Sequence, residues 1–205
     1  MNIPINAKVY CQDRMCGKIQ AVILNPVTDI LTHVIVKERK IPHSQRLVPI
    51  DLIDASLSKT VHLKCDQTCL DTLPPFVETD YVRVQVPRYM QVFDMLYLET
   101  VVLPEVKNVA SNHYHLPRNE LVVRRGTSVY SSEGILVGNV DEFLVNPDDG
   151  QVTHLIMRAG HLLRQQEITI PVTALAKIKV SKIRLNLKKD QVGVLPAIPV
   201  TRTWI

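Results

Sequence analysis

The sequence has few glycines and few aromatic residues, and it contains no long hydrophobic run. Seven glycines and 5% aromatic residues leave little material for a glycine-rich phosphate loop or for rows of stacking rings. No run of about eighteen apolar residues is present, so no transmembrane helix is predicted. The opening residues, Met-Asn-Ile-Pro-Ile-Asn, lack the basic and apolar regions of a secretory signal. These absences predict a soluble, cytoplasmic protein.

Cysteine is missing from most of the chain. The four cysteines are Cys11, Cys16, Cys65 and Cys69. Their spacings, C-x4-C and C-x3-C, differ from the C-x2-C of common zinc knuckles. We expect reduced thiols in a cytosolic protein, with a structural metal or a redox pair as the alternatives. The sequence leaves open whether these residues bind metal.

One short pattern occurs twice: Asn-Pro, a turn, then Thr-His followed by two apolar residues. It lies at Ile23–Val36 and again at Leu144–Met157. The matching pairs are Asn25-Pro26 with Asn146-Pro147, Thr32-His33 with Thr153-His154, and Gly17 with Gly138. All are 121 positions apart (146 minus 25, 153 minus 32 and 138 minus 17). An ordered repeat at that distance predicts two copies of one small domain.

Each copy of the pattern is typical of a β-hairpin. Gly150 can end the turn because glycine tolerates positive φ, and Asp29 holds the same place in the first copy. The residues after the turn alternate between apolar and polar with period two, as in a half-buried strand. His33 and His154 share the apolar face, and we expect each to be a half-buried ring with a backbone partner instead of a metal ligand.

These motifs resemble the PRC-barrel family, which is shared by the photosynthetic reaction-centre H subunit and the ribosome maturation factors. The second copy carries the fuller set, which is Gly138, Asn146-Pro147-Asp148-Asp149-Gly150, Thr153-His154-Leu155-Ile156, Ile170-Pro171 and Leu195-Pro196. The first copy supplies Gly17, Asn25-Pro26, Thr32-His33-Val34-Ile35, Val48-Pro49 and Leu73-Pro74. The resemblance implies a small antiparallel barrel for each copy and a role in binding, since no catalytic residues are attached to the family.

Two departures from the family limit this comparison. The H subunit has an amino-terminal membrane helix, and the ribosome maturation factors have an extra amino-terminal domain. Neither feature is predicted here.

The repeat predicts the domain organisation. The first PRC-type domain is expected at residues 1–76 and the second at 121–205, joined by a partly ordered segment at 77–120. In that segment, alternation from Val82 to Val86 predicts a short strand. Val92–Val102 is expected to be extended or one helix, and Asn108–Arg118 a loop.

The stretch 176–189 has the most unusual composition of the chain. It contains Lys177, Lys179, Lys182, Arg184, Lys188 and Lys189 and no acidic residue. Apolar residues alternate with these cations, which predicts a strand pair with one basic face. Such a face can contact phosphates or an anionic surface, although lysines also serve as guards of edge strands. The candidate partner-binding residues are Arg158, His161, Arg164, Lys177, Lys179, Lys182, Arg184 and Trp204.

Together these patterns predict an all-β protein with two small antiparallel PRC-type β-barrels in tandem, joined by a structured linker. No enzyme signature is recognisable, so no catalytic residue, metal, cofactor or small-molecule substrate is predicted. The expected function is that of an adaptor for a protein partner on a larger assembly, with a membrane-associated or photosynthetic complex as one case. The alternative is an RNA- or ribosome-associated factor that binds through the basic face at 176–189. Self-association is compatible with either function.

Overall fold

The computed structural model of the chain is built mainly of β-strands. It describes residues 1–12, 14–57, 59–94, 97–160, 166–179 and 181–195. The strands are β1 (Asn2–Pro4), β2 (Lys8–Cys11), β3 (Arg14–Asn25), β4 (Ile30–Glu38), β5 (Gln45–Pro49), β6 (Ile53–Leu57), β7 (Thr60–Leu63), β8 (Val77–Asp94), β9 (Tyr97–Tyr114), β10 (Leu121–Arg124), β11 (Ser128–Tyr130), β12 (Leu136–Val145), β13 (Val152–Ala159), β14 (Gln166–Pro171), β15 (Leu175–Lys179) and β16 (Lys182–Leu185). The helices are α1 (Gln67–Thr72) and α2 (Lys189–Val194), and 3-10 turns lie at Ile50–Leu52 and Val172–Ala174. The all-β class is confirmed. In this part of the chain, neither helix has the length and apolarity needed to cross a membrane.

The two repeats form two sheets with the same strand order. The first sheet runs β5-β4-β3-β2-β7-β6 and the second runs β14-β13-β12-β11-β16-β15. Each contains one parallel pair, β2 with β7 and β11 with β16, because the last hairpin of each repeat returns beside its second strand. The sheets are therefore not purely antiparallel, and they are not closed into barrels, so the predicted two-barrel arrangement is not confirmed.

The first strand of each repeat pairs in the sheet of the other repeat. β1 pairs with β12 of the second sheet, with Ile3 opposite Phe143. β10 pairs with β3 of the first sheet, with Val123 opposite Val22. The registers are equivalent, because Phe143 and Val22 are matching positions of the repeat (143 minus 22 is again 121). The buried side chains of both repeats consequently form one continuous hydrophobic core.

The Asn-Pro turns are fixed by their own asparagines. The Asn25 Oδ1 atom accepts a hydrogen bond from the backbone N–H of Val27 at 2.9 Å, and Asn146 Oδ1 accepts one from Asp148 at 3.3 Å. An asparagine that binds the backbone two residues ahead pre-forms a turn. The predicted hairpins around both turns, β3 with β4 and β12 with β13, are confirmed.

Gly17 and Gly138 lie inside strands β3 and β12. A Cβ added at Gly138 would lie 2.5 Å from the carbonyl oxygen of Arg158, and one at Gly17 would overlap the carbonyl of Lys37. Glycine is required at both positions because the neighbouring backbone passes too close for any side chain.

Residues Val77–His115 form a separate compact unit. It is a single hairpin in which β8 and β9 pair along eighteen residues each. The extended alternative for Val92–Val102 is confirmed for its described residues, whereas the loop predicted at Asn108–Arg118 was wrong as far as Tyr114, where β9 ends. Pro87 lies directly opposite Pro104. Neither proline has a backbone N–H to donate. The two therefore form a non-hydrogen-bonded pair of the ladder, in which the backbone nitrogens point away from the partner strand.

The four cysteines differ in oxidation state. Cys11 and Cys16 are joined by a disulfide, so the expectation of reduced thiols was wrong for this pair. Cys65 and Cys69 are free. Burial is the main cause that raises the pKa of the Cys65 thiol to about 11, and a hydrogen bond with Cys69 adds to it.

Candidate partner-binding surface

The hairpin formed by β15 and β16 places four cations on one face of the second sheet. Lys177 lies opposite Arg184, and Lys179 lies opposite Lys182. Between these pairs, Ile178 lies opposite Ile183 on the other face, where the Ile183 side chain is fully buried. We call the set Lys177, Lys179, Lys182 and Arg184 the basic face. The alternation that predicted this arrangement is confirmed for these four residues.

A shallow depression of about 460 Å³ lies on the basic face. Tyr130 on β11 borders it, because the parallel pairing of β11 with β16 sets Tyr130 beside Arg184. The Arg184 Nη2 atom also donates to the carbonyl oxygen of Ser132 at 2.8 Å, which holds the guanidinium at the rim.

The fold does not need this positive charge. The first sheet repeats the same register, with Ala55 opposite His62 and Leu57 opposite Thr60. Those four positions correspond to the basic face, and none of them is a lysine or arginine. Like charges directly opposite each other on a sheet are destabilising. The basic face therefore adds repulsion that the first sheet shows to be unnecessary for folding.

Arg158 does not line this depression. It lies on β13, where its Nη2 atom is 2.8 Å from Asp141 Oδ2. Arg125 contacts the other oxygen of the same carboxylate, with its Nε atom 2.5 Å from Oδ1. Asp141 is 2% exposed, so this pair of arginines compensates a buried negative charge. Sequence reasoning missed Asp141 and Arg125, because nothing in their local pattern marks an ion pair formed across strands.

Three predicted partner-binding residues, His161, Arg164 and Trp204, lie outside the described residues. The surface role of these side chains stays a prediction.

The histidine that the repeat singled out has a side-chain partner. The Nδ1 atom of His33 lies 3.0 Å from the Thr32 hydroxyl, which donates to Glu120 Oε2 at 2.7 Å. The predicted backbone partner for His33 was therefore wrong. Across the described ranges, no three His, Cys, Asp or Glu side chains are grouped so that they could hold a metal ion.

Residues 125–192 match the family model of the PRC-barrel domain. The matched stretch begins beside β10 and ends in α2, so it covers most of the second repeat, including the basic face. The match does not extend to the first repeat. No protein among the curated ones matches the chain.

Proposed function

We propose that the chain is a non-catalytic adaptor, made of two PRC-type domains, that docks a protein partner on a larger assembly. A membrane-associated or photosynthetic complex is the specific case that the resemblance to the reaction-centre H subunit suggests. The PRC-barrel match in the second repeat supports a binding module without catalysis. The observation that carries the proposal is the exposed apolar surface of the β8–β9 hairpin.

That hairpin carries large apolar side chains in contact with solvent. Tyr89 is 68% exposed, Val102 54%, Val106 58% and Tyr114 59%. Tyr89 lies directly opposite Val102, so the two share one face of the ribbon. An isolated two-stranded ribbon is marginally stable in water, and exposed apolar patches typically mark interaction sites. A protein partner that covers this face stabilises the hairpin and gains apolar burial.

The test is a pull-down from the native cell with the wild-type chain and with a variant carrying Tyr89→Ser, Val102→Thr and Val106→Thr. We expect a defined protein to be recovered with the wild type at high salt and to be lost with the variant. A matched control replaces Val27 and Ile41, which are 84% and 80% exposed but lie outside the hairpin, with threonine. Equal recovery with all three chains would contradict the adaptor proposal.

The second candidate function is RNA or ribosome contact, and the basic face favours it. Four cations on adjacent strands form a positive surface of the kind that binds phosphate backbones. Among the described residues that line the depression, Tyr130 is the one aromatic side chain. This leaves little for base stacking and favours backbone contact over sequence readout.

A gel-shift titration with single-stranded RNA separates the two candidates. If RNA is the partner, binding weakens steeply with salt, and reversing Lys177, Lys179 and Lys182 to glutamate abolishes it. The hairpin variant described above should leave this binding unchanged. RNA binding that survives the charge reversal would exclude the basic face as its site.

A further inference from the structure

A second group of lysines lies on the first repeat, where the sequence pattern gave no sign of it. Lys8 on β2 lies directly opposite Lys18 on β3. The backbone N–H of Lys8 donates to the carbonyl oxygen of Lys59 at 2.9 Å, which brings the β6–β7 turn alongside. All three side chains line one depression of about 290 Å³. We call Lys8, Lys18 and Lys59 the lysine triad.

The pairing of Lys8 with Lys18 is unfavourable for the fold by itself. Two like charges directly opposite on neighbouring strands repel each other. In the described part of the chain, neither the Lys8 nor the Lys18 ammonium group takes part in a hydrogen bond or ion pair. Their repulsion is therefore not relieved by a neighbouring carboxylate.

The second repeat forms the same local structure without the charges. The pair equivalent to Lys8 and Lys18 is Ser128 opposite Asn139, and Ser181 holds the place of Lys59. The backbone of the repeat therefore accepts small polar residues at all three positions. Lysine is therefore not required at these three positions for the repeat to fold.

The remaining charges of the depression nearly cancel. Arg125 and Arg158 are paired with Asp141, and Glu142 accepts a hydrogen bond from Asn2 Nδ2 at 2.8 Å. Among the described residues that line the depression, five cations face two carboxylates, which is an excess of three positive charges. No aromatic side chain is among the described residues that line the depression, so it offers nothing to stack on a base.

We propose that the lysine triad is a binding site for a soluble ligand bearing a diphosphate or longer phosphate group. Lysine ammonium groups are common phosphate ligands, acting as point charges with three donors each. Adjacent strands are about 4.8 Å apart, so ammonium groups on neighbouring strands can contact different oxygens of one multivalent anion. The bound anion replaces the repulsion of the triad with attraction. The site is independent of the proposed adaptor function, since it involves neither the hairpin nor the basic face.

The test is titration calorimetry and thermal unfolding of the full chain with sodium diphosphate, at constant low ionic strength. The variant carries Lys8→Ser, Lys18→Asn and Lys59→Ser, which copies the residues of the second repeat. The matched control also removes three lysines, through Lys177→Ala, Lys179→Gln and Lys182→Thr on the basic face. We expect diphosphate to bind and stabilise the wild type and the control. The triad variant should bind about tenfold more weakly or worse, because each lost charge-assisted contact lowers the affinity.

Two further measurements give the result that would overturn the proposal. Without ligand, the triad variant should unfold at the same or a higher temperature than the wild type, because the repulsion is gone. A lower unfolding temperature together with no diphosphate binding by the wild type would show that the lysines serve the fold alone. Binding to vesicles of phosphatidylcholine and phosphatidic acid, with none to free diphosphate, would also overturn the proposal, because it assigns the lysines to a lipid surface.

Discussion

The backbone N–H of Leu31 lies 2.9 Å from the carbonyl oxygen of Gly150, and the bond is repeated in the opposite sense. Val152, the counterpart of Leu31, donates to the carbonyl of Asp29 at 2.8 Å. Asp29 and Gly150 are themselves counterparts, and both have left-handed backbone geometry, with φ values of 54° and 71°. The two Asn-Pro turns are thus tied to each other by an equivalent pair of hydrogen bonds across the two repeats.

The carboxyl group of Asp29 makes the stability of the protein depend on pH. Burial raises the pKa of the Asp29 carboxyl above its ordinary value, so the folded state favours the protonated form. A raised folded-state pKa contributes stability below the unfolded value, and this contribution is lost as pH rises through the folded value. Asp29→Asn should therefore be more stable than the wild type at pH 7, with the difference shrinking near pH 4. Urea unfolding at both pH values measures this difference in the free energy of unfolding.

The control for this prediction is Asp148→Asn in the matching turn of the second repeat, where the carboxyl is exposed. The free energy of unfolding of that variant should equal that of the wild type at both pH values. An advantage of Asp29→Asn that stays constant with pH would contradict the electrostatic explanation.

Gly138→Ala should destabilise the protein by about 1–3 kcal/mol, because the new methyl group overlaps the backbone of β13 and forces the strands apart. Gly193→Ala in α2 is the control, since nothing lies within 4 Å of the added Cβ. We expect that change to be neutral or to stabilise by about 0.4–1 kcal/mol. Chemical denaturation of the two variants side by side provides the measurement, and similar losses for both would contradict the close approach at Gly138.

Arg158→Ala distinguishes a structural role from partner binding. It removes one of two arginines that contact the buried carboxylate of Asp141. We expect a loss of about 1–3 kcal/mol in unfolding free energy, because a buried charged group loses a hydrogen-bond partner. Arg14→Ala, at an exposed position in β3, is the control. Unchanged stability of Arg158→Ala with weaker partner recovery would favour the original surface interpretation.

Thiol labelling should report the different states of the cysteines. In the native protein at pH 8, iodoacetamide should modify Cys69, which is partly exposed, far faster than Cys65, whose thiol is buried and has a pKa of about 11. Cys11 and Cys16 should react only after reduction. Peptide mass spectrometry with and without a reductant gives the answer, and labelling of Cys11 in the unreduced, denatured chain would show that the disulfide is absent.

A fragment of residues 116–195 should fail to fold alone, because its sheet lacks β1 beside Phe143. Adding a fragment of residues 1–76 should restore the near-ultraviolet circular dichroism of the sheets. The control is the full chain cut once after Tyr97, at the start of β9, which leaves every strand of the two sheets present. Independent, cooperative unfolding of the 116–195 fragment would show that the exchanged strand is dispensable.

Local patterns in the sequence were sufficient for much of this structure. Asn25-Pro26 and Asn146-Pro147 marked both hairpins because turn chemistry and period-two alternation act over a few residues. The basic face was predicted for the same reason, since Lys177 and Arg184 lie on consecutive strands joined by a short turn.

The remaining features depend on contacts that are distant in sequence. Ile3 pairs with Phe143, and no pattern near either residue indicates the partner. The lysine triad comes from three separate segments, so it exists only after β2, β3 and the β6–β7 turn are assembled. The long hairpin was not predicted, because prolines such as Pro87 and Pro104 usually interrupt a strand, whereas opposite one another in a two-stranded ribbon they cost no ladder hydrogen bond.

The exchange of β1 and β10 between the two sheets suggests how a two-repeat chain of this kind arises. A polypeptide with a single repeat would leave one sheet position empty and one strand unplaced. Two copies of it would satisfy both needs by swapping those strands, which makes an obligate homodimer. Gene duplication then converts the dimer into one chain without altering any pairing, and it frees each half to acquire charges, such as Lys18 or Lys177, that a symmetric dimer would have to carry twice.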